Sequence, residues 1–150
     1  MTGGEPVDLD CDSVFLVFGV RLSFMELCDH QAIATEVRED DLPAELPEGF
    51  SFMLGLDLSI LSGGQALETL PAGAGVQLDF PVPAGEYAVL FWDEAAGEWV
   101  EVSAPLEAGN VAEALGSDEG DGLYHLRPGR AGFLQVLTTD KTGIFILVQK

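Results

Sequence analysis

The chain is expected to fold as an all-β protein, an antiparallel, immunoglobulin-like β-sandwich of about eight to ten strands. Three observations lead there. Apolar residues alternate with a period of two rather than 3.6. Clusters of Gly, Pro, Asp and Ser break the apolar runs at short intervals, and no long stretch carries helical spacing. The chain is 150 residues long with no Pro- or Gly-rich linker dividing it, so a single domain over 1–150 is expected.

Short alternating segments lie at 14–18, 22–27, 33–38, 50–61, 76–80, 87–92, 98–102, 123–127, 132–138 and 143–148. The clearest is "FSFMLGLDLSIL" (50–61). There Phe50, Phe52, Leu54, Leu56, Leu58 and Ile60 are expected on one face, with Ser51, Asp57 and Ser59 on the other. In 87–92, Tyr87, Val89 and Phe91 face one way and Ala88, Leu90 and Trp92 the other. Both faces are apolar, which suits a central strand.

The connections are equally legible. "DLPAELPEG" (41–49), "SGG" (62–64), "LPAGAG" (70–75) and "PVPAG" (81–85) hold five of the eight prolines, and proline inside a sheet loses a ladder donor. "DEAAG" (93–97) ends in Gly97, suited to the left-handed residue closing a four- or five-residue hairpin loop. The longest interruption, 104–122, reads as an acidic loop with one helical turn near 111–115.

Two readings of 14–25 are open. In one, the chain turns back at Gly19-Val20 so that Phe18 pairs with Arg21. Carried outward, that register sets Cys11 opposite Cys28 at a non-hydrogen-bonded site, where Cα atoms approach to ~4.5 Å and a disulfide can span them. In the other, 14–25 is one long strand and the thiols lie roughly 50 Å apart along it. A bond would favour an oxidising compartment; free cysteines would be small core residues.

Charge and composition exclude several classes. Asp and Glu number 26 against 6 Lys and Arg, a net charge of −20, and such a surface repels nucleic acid and anionic membranes. The best apolar run, "VFLVFGV" (14–20), is closed by Arg21, far short of a membrane span. Met1 leads into "TGGEPVDLD" without the basic and apolar regions of a secretion signal, so none is expected within this sequence. At 47% hydrophobic and 21% charged, the chain can bury enough apolar surface to fold.

Catalytic chemistry finds little support. A nucleophile needs a base within reach, and only His30 and His125 are on offer, neither in a recognisable motif. Asp8, Asp10 and Asp12 resemble the opening of an EF-hand, but Ser13 stands where that loop needs glycine and Gly19 where it needs glutamate. "GSDEGDG" (116–122) gathers Asp118, Glu119 and Asp121, an oxygen-rich set suited to calcium at modest affinity, or simply a solvated loop. No other cofactor is indicated. Trp99, expected on the outer face with Glu101, is the one candidate for a sugar-stacking platform.

Three blocks carry a resemblance: "FSFMLGLDLSILSGGQALETLPAGAGVQLDFPVPAG" (50–85), "YAVLFWDEAAGEWVEV" (87–102) and the terminal "TGIFILVQK" (142–150). In that order they resemble the C-terminal modules of secreted bacterial surface proteins, themselves similar to the ZU- and UPA-type sandwich domains of ankyrins and netrin receptors. The resemblance covers roughly 40–150 and leaves 1–39 outside. It implies an extracellular or cell-surface, non-catalytic module for display, anchoring or assembly. Some relatives cleave themselves at His-Phe-Ser; here His125 precedes Leu126 and Arg127, so self-cleavage is not expected. The expected role is therefore structural, with a protein partner or a second copy joining through a sheet edge such as "FLQVLTT" (133–139) or "GIFILVQ" (143–149). The alternatives are carbohydrate binding through Trp99 and hydrolysis using His125.

Overall fold

The computed structural model describes residues 4–71, 73–102, 105–107, 123–127 and 132–150. Its strands are β1 (Val7–Asp8), β2 (Asp12–Val17), β3 (Val20–Met25), β4 (Gln31–Val37), β5 (Ser51–Ser62), β6 (Gln65–Ala66) and β7 (Gly75–Pro81). They continue with β8 (Tyr87–Asp93), β9 (Glu98–Glu101), β10 (Pro105–Glu107), β11 (Leu123–Arg127), β12 (Phe133–Thr138) and β13 (Gly143–Gln149). The only helical element among the described residues is a 3-10 turn, Glu39–Asp41.

Two sheets pack face to face. The first has seven strands in the order β1-β4-β5-β13-β8-β9, with β6 paired to β5; the second has six, β10-β11-β12-β7-β3-β2. The fold is an all-β sandwich. Alternation drives Leu56, Leu58, Ile60, Val89, Phe91, Phe145 and Leu147 of the first sheet against Leu22, Phe24, Val76, Leu78, Phe80 and Val136 of the second. Phe91 and Phe145, paired across β8 and β13, stack with ring centroids 4.9 Å apart.

The strand count exceeds the expected eight to ten because β1, β6 and β10 are two or three residues long, too short to leave an alternation. Nor is the ladder wholly antiparallel, since β10 runs parallel to β11. β10 occupies the start of the interruption expected over 104–122. It begins at Pro105, tolerated because it opens an edge strand. The helical turn expected near 111–115 lies outside the described residues.

The first hairpin corrects the expected turn. Val17, not Phe18, closes it, paired with Val20. Phe18 and Gly19 sit between them at φ 52° and 80°, the two left-handed residues of a type I′ turn. Gly19-Val20 at the turn would have exposed Val20, which is instead fully buried.

Beyond that hairpin the ribbon crosses a corner of the sandwich: β2 and β3 belong to the second sheet, β1 and β4 to the first. Between Asp12 and Asp8 stand three residues, while the facing side between Met25 and Gln31 holds five. The excess is absorbed by Glu26 and Asp29, at φ 56° and 60°. Leu9 and Leu27 turn inward there into the core.

A second correction concerns β5. Leu54 pairs with Leu147 of β13, but Phe52 pairs with Val148, leaving Met53 as a bulge. The extra residue reverses the alternation. Leu54 to Ile60 face the core as expected, whereas Phe50 and Phe52 turn to the outer face of the first sheet.

Candidate functional site

That outer face is apolar. Ala88, Leu90, Ile146 and Val148 are buried on it, and Leu42, Leu46 and Phe50 of the connection between β4 and β5 fold over them with Phe52, Ile144 and Trp99. The expected Pro-rich loop is thus a third layer. Its start is fixed by the Arg38 N–H, which donates to Asp41 Oδ2 at 3.3 Å.

The tryptophans sit at the end of this layer. Asp93 pairs with Glu98, leaving a four-residue loop in which Ala96 N–H donates to Asp93 Oδ1 at 3.1 Å and Gly97 closes at φ 66°. This sets Trp92 directly opposite Trp99. Their centroids are 5.0 Å apart at 64°, edge to face, so the rings share no plane on which a sugar could stack. Trp99 is half-buried, and its Nε1–H is buried with no hydrogen-bond partner.

Beside the pair runs an open groove of about 460 Å³, lined among others by Asp57, Glu68, Asp93, Glu94, Asp140 and Lys141. Asp57 reaches it from β5, in a register row with Thr35 and Ile144. Burial, then the nearby Glu94 charge, pushes the Asp57 carboxyl above its ordinary 3.8. The lysine is engaged by Asp140 at 3.8 Å. Among the described residues, no three His, Cys, Asp or Glu side chains converge closely enough to hold a metal ion. Sequence reasoning missed this groove because its acids come from β5, the β6–β7 connection, the end of β8 and its following loop, and the β12–β13 loop, brought together only by the fold.

The expected site residues lie far apart in role. Cys11 and Cys28 are joined as a disulfide across the sandwich corner, with Cα atoms 4.2 Å apart. His30 belongs to the same corner, its Nδ1 2.7 Å from the Cys28 carbonyl. Asp8 accepts from Gln31 Nε2 at 2.9 Å. His125 lines a cavity of about 210 Å³ at one end of the sandwich, with Tyr87, Glu101, Lys150 and apolar side chains. Glu101 there pairs with Lys150 at 3.5 Å, and no Ser, Thr or Cys is among the described lining residues. Asp118, Glu119 and Asp121 lie outside the described residues.

The two segments expected as exposed edges are interior. β12 lies between β11 and β7, and β13 between β5 and β8, so neither is an edge strand. Among the described strands those with a single partner are β1, β9, β10, β2 and the two-residue β6.

Fold and surface together define a disulfide-stapled β-sandwich with one face covered by its own connection. The chain matches no protein-family model and no curated protein. The likeness to bacterial surface modules therefore rests on the three sequence blocks.

Proposed function

We propose that the chain is a non-catalytic structural or interaction module working outside the cytoplasm, at the cell surface or in an extracellular assembly. The observation that carries the reading is the bond between Cys11 and Cys28. Disulfides persist in oxidising compartments, and this one closes the corner where both strands of a ribbon change sheets. The three blocks resembling surface modules point the same way. An acidic exterior with a net charge of −20 suits a protein partner, or a second copy once cations screen it, with calcium a candidate cation.

The test is made on protein from its native source, fractionated and alkylated before and after reduction. Thiols blocked until reductant is added, in an extracytoplasmic fraction, support the reading; free thiols in the cytosol overturn it. The rival carbohydrate reading is weakened by the edge-to-face tryptophan pair, and would be restored by glycan quenching of fluorescence that disappears in Trp99→Ala.

A further inference from the structure

We infer that a second copy of this chain docks along β2, antiparallel to its counterpart, with Val14 of each copy on the two-fold axis. The inference deepens the interaction-module reading, and rests on it, by naming the partner and the edge.

These edges are not alike. β1 and β6 offer two residues each and β10 three, and β9 offers four that include Glu98 and Glu101. β2 offers six, of which Ser13 to Val17 carry neither charge nor proline. Charge, proline, bulges and brevity are the devices that keep a sheet edge from pairing, and this stretch has none of them. It also carries Val14 and Leu16, 53% and 68% exposed, two of the three large apolar side chains left in water among the described residues. Phe15 between them points inward and meets Phe24 edge to face at 6.0 Å, which anchors the strand to the core.

The pairing register follows from the first hairpin. A turn closed by Val17 and Val20 makes that pair hydrogen-bonded. Alternation then directs the backbone groups of Phe15 and Ser13 to β3. The Glu26 N–H donating to the Cys11 carbonyl at 2.8 Å continues the same parity. The groups of Asp12, Val14 and Leu16 therefore point to the open edge.

An antiparallel pair with Val14 opposite Val14 sets Asp12 opposite Leu16 in both halves and uses every one of those groups. No like charges face each other. The register also complements charge, because Leu16 pairs with Arg21 on β3, so Asp12 of one copy arrives one strand from Arg21 of the other. That is ~10 Å between Cα atoms, a gap an Arg side chain spans. The result is one continuous sheet made from two six-stranded ones.

The test is sedimentation of the full chain over a concentration series at about 0.5 M salt, where repulsion between two acidic copies is screened. A dimer is expected. Val14→Pro removes only an outward N–H and Leu16→Lys replaces an exposed side chain, so circular dichroism should stay that of the wild type. Each should weaken association roughly 100-fold or more, since the change enters a two-fold interface twice. Glu98→Lys on β9 should leave association unchanged.

Register is read by cross-linking under mild oxidation. Val14→Cys should give a covalent dimer, its Cα atoms ~5.5 Å apart, whereas Leu16→Cys, four residues out of register with its own copy, should not. A wild type that stays monomeric, a Val14→Pro that associates as well as the wild type, or equal cross-linking at both positions would overturn the inference. None of these outcomes bears on thiol state or compartment, so the broader reading stands or falls separately.

Discussion

Gly55 sits at a crowded point on the outer face of the first sheet. A Cβ built there would lie 2.9 Å from the Val37 carbonyl oxygen and 3.0 Å from Ile146 Cγ2, contacts that backbone cannot yield cheaply. Gly55→Ala is therefore expected to destabilise the fold by about 1–3 kcal/mol, read as a lower urea midpoint at unchanged slope. Two register rows further along β5, Asp57 strains the fold in a different way. Its carboxyl is raised by burial and then by Glu94, so the folded state holds a proton more tightly than the unfolded chain. Stability should fall as pH rises from near 3.8 through the folded value, and the cost is complete above it. Asp57→Asn should raise the melting temperature at pH 7, and that gain should vanish in acid. Neither residue announced its role in the sequence. Gly55 reads as a gap in an alternation and Asp57 as its polar face, because what crowds them comes from β4, β13 and the loop after β8.

At the scale of elements, ten segments were visible in the sequence because each alternates over at least four residues, enough to show a period of two. What escaped were features set by one residue. Met53 reverses the faces of Phe50 and Phe52, yet nothing in "FSFMLGL" distinguishes a bulge from continued alternation. The turn at Phe18-Gly19 escaped because phenylalanine is seldom left-handed; burial of Val20 outweighed that preference. Edge position was unreadable, since β12 and β13 are interior only by virtue of partners distant in the chain. The disulfide fits at the corner because the ribbon gains two residues on the β3–β4 side there, bringing Cys28 beside Cys11. Replacing both cysteines by serine should lower stability by about 3 kcal/mol for a loop of this length. Hydrogen exchange should then accelerate first at Leu9 and the β1–β4 pairs, which the bond ties to the core.

For the molecule as a whole, the dominant opposing term is its own charge. A net −20 over 150 residues means that the charges are overwhelmingly of one sign, and the ion pairs Arg38–Glu36, Lys141–Asp140 and Lys150–Glu101 all lie on exposed or half-exposed side chains, where each contributes little. Self-repulsion of this kind is long-ranged at low salt and collapses as the screening length shortens from ~30 Å at 0.01 M to ~10 Å at 0.1 M. The melting temperature should therefore climb with sodium chloride by several degrees, about 2–4 °C for each 1 kcal/mol regained in a domain of this size. Calcium chloride at matched ionic strength separates screening from binding. If the acids merely repel one another, the two salts should act within the modest advantage any divalent ion has. If Asp118, Glu119 and Asp121 hold the ion, calcium adds a stabilisation that grows logarithmically with its concentration and is lost when the three are changed to Asn or Gln. A saturating calcium effect that survives those changes would show that these three carboxylates are not the ligands.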